Sequence, residues 1–340
     1  MNTPLVPALR EIEILFRPFR HRKLQLAGRI VLTPEAHSSE HCGIPTEKTE
    51  QFYRLRAAHD SALIITEPLA IDDAAAPASK NDAIFYGGRA LRIWKALCRS
   101  IHATNCKIAA QLYHAGMNRQ MDDDIMPISP SGISPVTLHL IGEPMSKQRI
   151  DEVKASFARA AANAKALGFD AVEIHGAEGS LIEQFLRPET NQRADEYGGS
   201  IAARSRFACE VIHAVRKAVG RNFPIILRLS QWPKEAGRPP LVSGAAEAEQ
   251  LLTPLSEAGV DIFHCASKHY TYPAFPGRPL TFASWVRLLT HKPTICAGGI
   301  GNALRRASTD SALLHLLHLL QAESFDLIST SSLINHLHNR

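Results

Sequence analysis

An arginine sits in the middle of an otherwise apolar run, Pro224–Ser230 (PIILRLS). A guanidinium does not shed its charge, so Arg228 requires an acceptor of negative charge. Two kinds are open: an internal carboxylate, Glu67 or Glu173, or a ligand with delocalised negative charge. Gln111, at the end of Lys107–Leu112 (KIAAQL), carries a donor and an acceptor in one plane, the pairing that an amide-like ring edge needs. Gly298 and Gly299 follow another apolar run and offer exposed backbone N–H groups of the kind that hold phosphate. Glu35 with His37, Glu67, His114, His175 with Glu178, and His264 through Lys268 close similar runs. Capping or solvating a loop explains any one of them but not the whole ring. His37 and His41 are four apart, as are His114 and Asn118, but neither segment reads as helix, so no metal site is expected.

Such residues need a frame that brings run ends together. Short apolar runs alternate with stretches of helical period. Gly28–Pro34, Ala62–Glu67, Lys107–Leu112, Asp170–His175, Pro224–Ser230, Gly259–Cys265, Pro293–Ala297 and Phe325–Ser329 read as strands. Glu47–His59, Gly88–His102, Asp151–Leu167, Ala202–Val219, Ala245–Ala258, Phe282–Leu289 and Ala312–Ala322 read as helices. Strands apolar on both faces imply a parallel sheet covered on both sides. Eight strand–helix repeats predict an α/β fold, a single (β/α)8 TIM barrel over residues 1–340, with the polar ring at its C-terminal mouth. A doubly wound sheet is the alternative, but no G-x-G-x-x-G follows the first strand. Residues 117–144, rich in Asp, Pro, Ser and Gly, predict a loop insertion over the mouth. A last helix after Ser329 is cut short at Arg340.

Composition narrows the rest. The 340 residues are 45% hydrophobic and 21% charged, which excludes a disordered chain. No apolar run reaches the roughly 18–20 residues that span a bilayer, and the first ten residues lack a secretory signal. A net charge of +5 fits an anionic small molecule. The cluster Arg17, Arg20, Arg22 and Lys23 is too short for a nucleic-acid arm and reads as a solvated rim. Six cysteines without C-x-x-C spacing argue against a disulfide framework or an iron–sulfur cluster and fit a reducing cytoplasm. The expected partner is a small-molecule substrate, without nucleic acid or membrane, for a monomer or homo-oligomer.

The chain resembles the Old Yellow Enzyme family of flavin-dependent ene-reductases from about Leu15 to Leu333. The segment HGAEGSLIEQFLRPETNQRADEYGGSIAARSRF (His175–Phe207) is the most specific stretch. GRIVLTP (Gly28–Pro34), IITE (Ile64–Glu67), QLYHAG (Gln111–Gly116), ILRLSQW (Ile226–Trp232) and GVDIFHC (Gly259–Cys265) agree in order and spacing. The resemblance implies FMN at the barrel mouth and NADH or NADPH as reductant. By resemblance, Pro34, Glu35, Ala36 and Pro68 line the flavin, and Gln111 bonds its pyrimidine edge. Arg228 stabilises the negative charge of the reduced ring, and Gly298 and Gly299 meet the phosphate. Hydride passes from nicotinamide to FMN and then to the β-carbon of an activated alkene. Two side chains on the fourth-strand loop polarise the substrate carbonyl, and a tyrosine two residues on supplies the proton.

The sequence departs from that pattern at the reacting end. His175 keeps the first polarising position, but the second is Glu178, and the tyrosine is Ser180. A carboxylate facing a developing oxyanion has the wrong sign unless it is protonated. Ser331 and Ser332 occupy the place of the family's Gly-Arg phosphate pair, which removes a charge-assisted bond of roughly 1.5–3 kcal/mol. Asp195, Tyr197 and Arg204 read as loop-holding residues. Three readings remain open. The first is a specialised oxidoreductase in which Glu178 meets a cationic or hydroxylated substrate and the proton comes from Ser180, Tyr113 or water. The second is a non-reducing isomerase or dehydrogenating enzyme. The third is a redox-inactive binding homologue.

Overall fold

The computed structural model describes residues 11–33, 43–59, 61–120, 124–233, 237–305 and 311–331. Eight parallel strands close a barrel in chain order: β1 Ile30–Leu32, β2 Leu63–Ala70, β3 Lys107–Tyr113, β4 Ala171–Gly176, β5 Ile225–Ser230, β6 Ile262–Ala266, β7 Thr294–Ala297 and β8 Leu327–Thr330. The helices are α1 Glu47–Ala57, α2 Gly88–His102, α3 Lys147–Leu167, α4 Leu181–Leu186, α5 Ile201–Val219, α6 Ala245–Ala258, α7 Phe282–Thr290, α8 Ile300–Arg305 and α9 Ser311–Gln321. The expected TIM barrel is therefore the fold.

The helices form where the 3.6-residue period buries one stripe. In α3, Ile150, Val153, Phe157, Ala160, Ala161 and Ala164 face inward. Ser146 caps this helix by accepting from the Arg149 N–H at 3.1 Å, and Gly168, at φ 99°, ends it in the left-handed region. Inside the barrel, Val31, Leu63, Ile65, Ala109, Ala171, Ile226, Ile262, Ile295 and Leu327 make a separate core. A hairpin pairing Phe19–His21 with Leu24–Leu26 adds Phe19, Leu24 and Leu26 to that core. Arg22 at its tip bonds Asp261 at 2.6 Å. Arg17, Arg20, Arg22 and Lys23 are exposed, as expected of a solvated rim, while the apolar side chains of the hairpin plug the barrel's N-terminal end and leave the C-terminal end for chemistry.

Strand β2 runs past its expected end because its register shifts between Ile65 and Pro68. Pro68 cannot donate to the ladder, and at the bulge the Gln111 N–H donates to the Thr66 hydroxyl at 3.0 Å. This bulge sets Pro68 beside Gln111. Further registers align Gln111 with Glu173, and His175 with Arg228 and then His264. Between β3 and α3 the regular pieces are a short 3₁₀ turn at Gly116–Asn118 and the pairing of Ile128–Ser129 with Glu143–Pro144. Among the described residues, no helix is long and apolar enough to cross a membrane.

Candidate active site at the barrel mouth

The innermost layer of the site is a buried polar row. Glu173 on β4 has no exposed surface. It accepts the Gln111 side-chain amide at 2.6 Å and faces His264 Nδ1 at 2.7 Å. Burial alone would push the Glu173 carboxyl up. The neighbouring His264 and Arg228 and the Gln111 hydrogen bond outweigh that and hold it below its usual range. Because the Gln111 nitrogen is committed to Glu173, its carbonyl oxygen is left to serve another donor.

Above this row stands Arg228. Its partner is neither of the two internal carboxylates considered from sequence. One terminal nitrogen bonds Glu178 Oε1 at 2.5 Å, and Glu178 lies on the loop after β4 with its side chain 49% exposed. Arg228 Nε is buried without a protein hydrogen-bond partner. Glu67 instead contacts the Tyr53 hydroxyl, which accepts the Glu67 N–H at 2.9 Å.

His175 is the last but one residue of β4 and is buried. Its Nδ1 has no protein partner, and its ring lies 5.4 Å from that of Tyr113. Burial holds the His175 imidazole down at about 4, so it is neutral near pH 7. Burial likewise pushes the Tyr113 phenol up, so it keeps its proton. Ser180 stands at the N-cap position of α4 but makes no capping bond with its side chain; its hydroxyl donates to the His175 main-chain carbonyl at 2.9 Å. That hydrogen is engaged within the turn, which does not suit the role of proton donor expected for Ser180.

The turn between β4 and α4 is held tightly. Glu178 adopts a left-handed φ of 56°. Asn118 donates to the Gly179 carbonyl at 2.9 Å, and Gln184 donates to the same oxygen at 2.6 Å. The following segment is scaffolding, as expected for Asp195, Tyr197 and Arg204. Asp195 bonds Arg193 at 2.7 Å, Tyr197 donates to Glu210 at 2.9 Å, and Arg204 donates to the Leu186 carbonyl at 2.8 Å. His114 is also a loop holder, its Nδ1 accepting the Gly116 N–H at 3.0 Å.

Next to Arg228 opens a cavity of about 320 Å³ lined by Thr33, Arg228, Gly298, Gly299, Ser329 and Ser331, among others. A Cβ on Gly298 would lie 2.3 Å from the Ser267 oxygen, and one on Gly299 would lie 2.5 Å from the His269 ring. A second cavity of about 560 Å³ is lined by Trp232 and Tyr272 together with Phe275 and Arg278 of a hairpin that pairs Pro273–Phe275 with Arg278–Thr281. Pro34, Glu35, Ala36 and Ser332 lie outside the described residues. Sequence reasoning named Glu173 and His264 only as a candidate ion-pair partner and a strand-end residue, and did not see that they meet. The available signal was two polar residues in apolar strands, each in register with a residue of the candidate ring.

A closed barrel with a half-buried cation, a planar amide and a glycine-lined cavity at its C-terminal mouth fits the class of flavin-binding barrels. The buried Arg228 Nε without a protein partner and the roughly 320 Å³ cavity beside it, lined by Gly298, Gly299 and Ser331, are features that fit FMN. Residues 14–312 match the NADH:flavin oxidoreductase / NADH oxidase family, and the chain belongs to that family. It is an Old Yellow Enzyme-like, FMN-dependent family driven by reduced nicotinamide. Over 226 residues the chain is 39% identical to a metal reductase of Desulforamulus reducens, matching 64% of this chain and 33% of that protein, so it spans about a third of that relative's length. It is 32% identical to a chanoclavine-I aldehyde reductase of Penicillium roqueforti, over 84% of this chain and 77% of that one. Among solved structures, morphinone reductase superposes with a TM-score of 0.76 at 25% identity, covering 93% of this chain and 84% of the other.

Proposed function

We propose that this protein is an FMN-dependent oxidoreductase that carries hydride from NADH or NADPH to an activated alkene bearing a carbonyl group. The observation that carries this reading is the half-buried Arg228, its buried Nε without a protein partner, beside a cavity lined by Gly298 and Gly299. When bound, FMN supplies the two-electron hydride chemistry, and the chain supplies orientation, charge and protons. Gln111 offers its carbonyl oxygen to a ring N–H, Arg228 balances negative charge, and Gly298 and Gly299, with Ser331 at the rim, receive the phosphate. Pro68, set against Gln111 by the β2 bulge, lines the same edge.

At the substrate, His175 is neutral and polarises the carbonyl oxygen as an N–H donor. Tyr113, protonated beside it, is the second donor and the source of the final proton. Ser180 positions His175 through its main-chain carbonyl. Glu178, held on Arg228, keeps its charge away from the developing oxyanion, where it would raise the barrier.

The test is to reduce the FMN-loaded protein anaerobically with NADH or NADPH and then add cyclohexenone or a functionalised enone. Reoxidation with one alkene reduced per nicotinamide consumed supports the proposal. Conversion of the substrate without nicotinamide consumption would mark the non-reducing isomerase, and no reduction of bound FMN would mark a redox-inactive homologue.

A further inference from the structure

The Arg228–Glu178 pair sets a property of the site that the family assignment does not supply. Strand β5 delivers a permanent cation to the mouth. A carboxylate meets it from the β4–α4 turn at 2.5 Å. That turn cannot easily swing aside. Asn118 bonds both the Glu178 and Gly179 carbonyls, at 3.3 and 2.9 Å, and Glu183 accepts the Gly179 N–H at 2.5 Å. A Cβ at Gly179 would meet Asn118 Nδ2 at 2.4 Å, so the turn is packed as well as bonded. Glu173, buried below, is a second carboxylate near the same guanidinium. The field at the mouth is therefore that of a compensated cation, not of a bare one.

Hydride transfer from nicotinamide oxidises it by two electrons and leaves the bound ring with one negative charge more than before. A bare guanidinium would favour that reduced form strongly. A guanidinium already paired with a carboxylate favours it less, because the two fields largely cancel at short range. We infer that Glu178 is a redox-setting residue: by neutralising Arg228 it lowers the midpoint potential of the bound FMN and makes the reduced protein a stronger hydride donor. This rests on the FMN reading above and adds to it a role for a residue that the family pattern gives to carbonyl polarisation. It also accounts for a carboxylate at a position where facing the substrate oxyanion would oppose the reaction.

The experiment is a midpoint-potential measurement against a reference dye on the FMN-loaded protein, for the native chain, E178Q and E178D. Glu178 is half-exposed, and the turn is held by its main chain, so both variants keep the fold. The expected result is a more positive potential in E178Q by about 30 mV or more, equal to a tenfold gain in the reduced-over-oxidised affinity ratio. E178D, which keeps the charge, stays near the native value. A native potential in E178Q, or equal shifts in E178Q and E178D, overturns the inference while leaving the FMN reading standing. A chain that takes up no FMN overturns both.

Discussion

The Ser180 hydroxyl donates to the main-chain carbonyl of His175 at 2.9 Å, five residues back along the chain. The bond closes the turn on which His175 and Glu178 are presented. Ser180 is buried, so S180A leaves a carbonyl without its donor. The expected loss is about 1–2 kcal/mol of stability, with turnover changed by less than roughly threefold, or under 1 kcal/mol. Thermal melts and steady-state rates on the same preparations check this. A hundredfold loss of turnover with an unchanged melt would return Ser180 to the chemistry.

The Glu173–His264 pair is fully buried, and each side chain would be costly without the other. H264L strands the carboxylate and is expected to cost about 3–5 kcal/mol. The double variant E173L/H264L recovers a substantial part of that, because neither charge nor partner remains. Denaturant unfolding of the two singles and the double measures the coupling. Additive losses would show that the pair does not act as a unit.

Gly298 and Gly277 both have positive φ, 124° and 68°. A Cβ on Gly277 meets nothing within 4 Å, whereas one on Gly298 meets the Ser267 oxygen at 2.3 Å. Both alanine variants carry backbone strain of about 1–2 kcal/mol. Only G298A distorts the anion cavity, so it should weaken FMN binding by about tenfold or more, or 1.4 kcal/mol, while G277A leaves binding nearly unchanged. Fluorescence titration with FMN separates the two.

How much of this was legible differs by feature. Helix α2 and helix α6 read from sequence with their observed bounds, because apolar period and end residues agree there. The barrel strands read to within a few residues, since Leu63–Ile65 and Ile225–Leu227 are unbroken apolar runs. Arg228 was legible because a charge inside such a run has no local explanation. Its partner was not, since Glu178 reaches it from 50 residues away, on the turn after the neighbouring strand. Hairpin Phe19–His21/Leu24–Leu26 was hidden because its buried residues are few and its charged residues dominate composition. Ser180 kept the position of a proton donor in the sequence, and only the turn geometry shows where its hydrogen goes.

Burial sets His175 at about 4, against an ordinary value of 6.5. The unfolded chain therefore takes up the proton first as pH falls. This contribution to stability is complete above pH 6.5 and is lost as pH drops toward 4. The denaturation midpoint should decline over that interval, with a shallower decline in H175Q. The rate should show no inflection near 6.5 from this group. An equal slope in H175Q would show that His175 titrates like an exposed histidine.

The central claim is that the mouth of this barrel holds FMN against Arg228. The visible absorbance spectrum of the purified protein, taken before and after addition of FMN and removal of the excess, tests it most directly. A retained flavin band at one FMN per chain, lost or strongly weakened in R228L, is the predicted result. A colourless native protein that retains no added FMN would contradict the account.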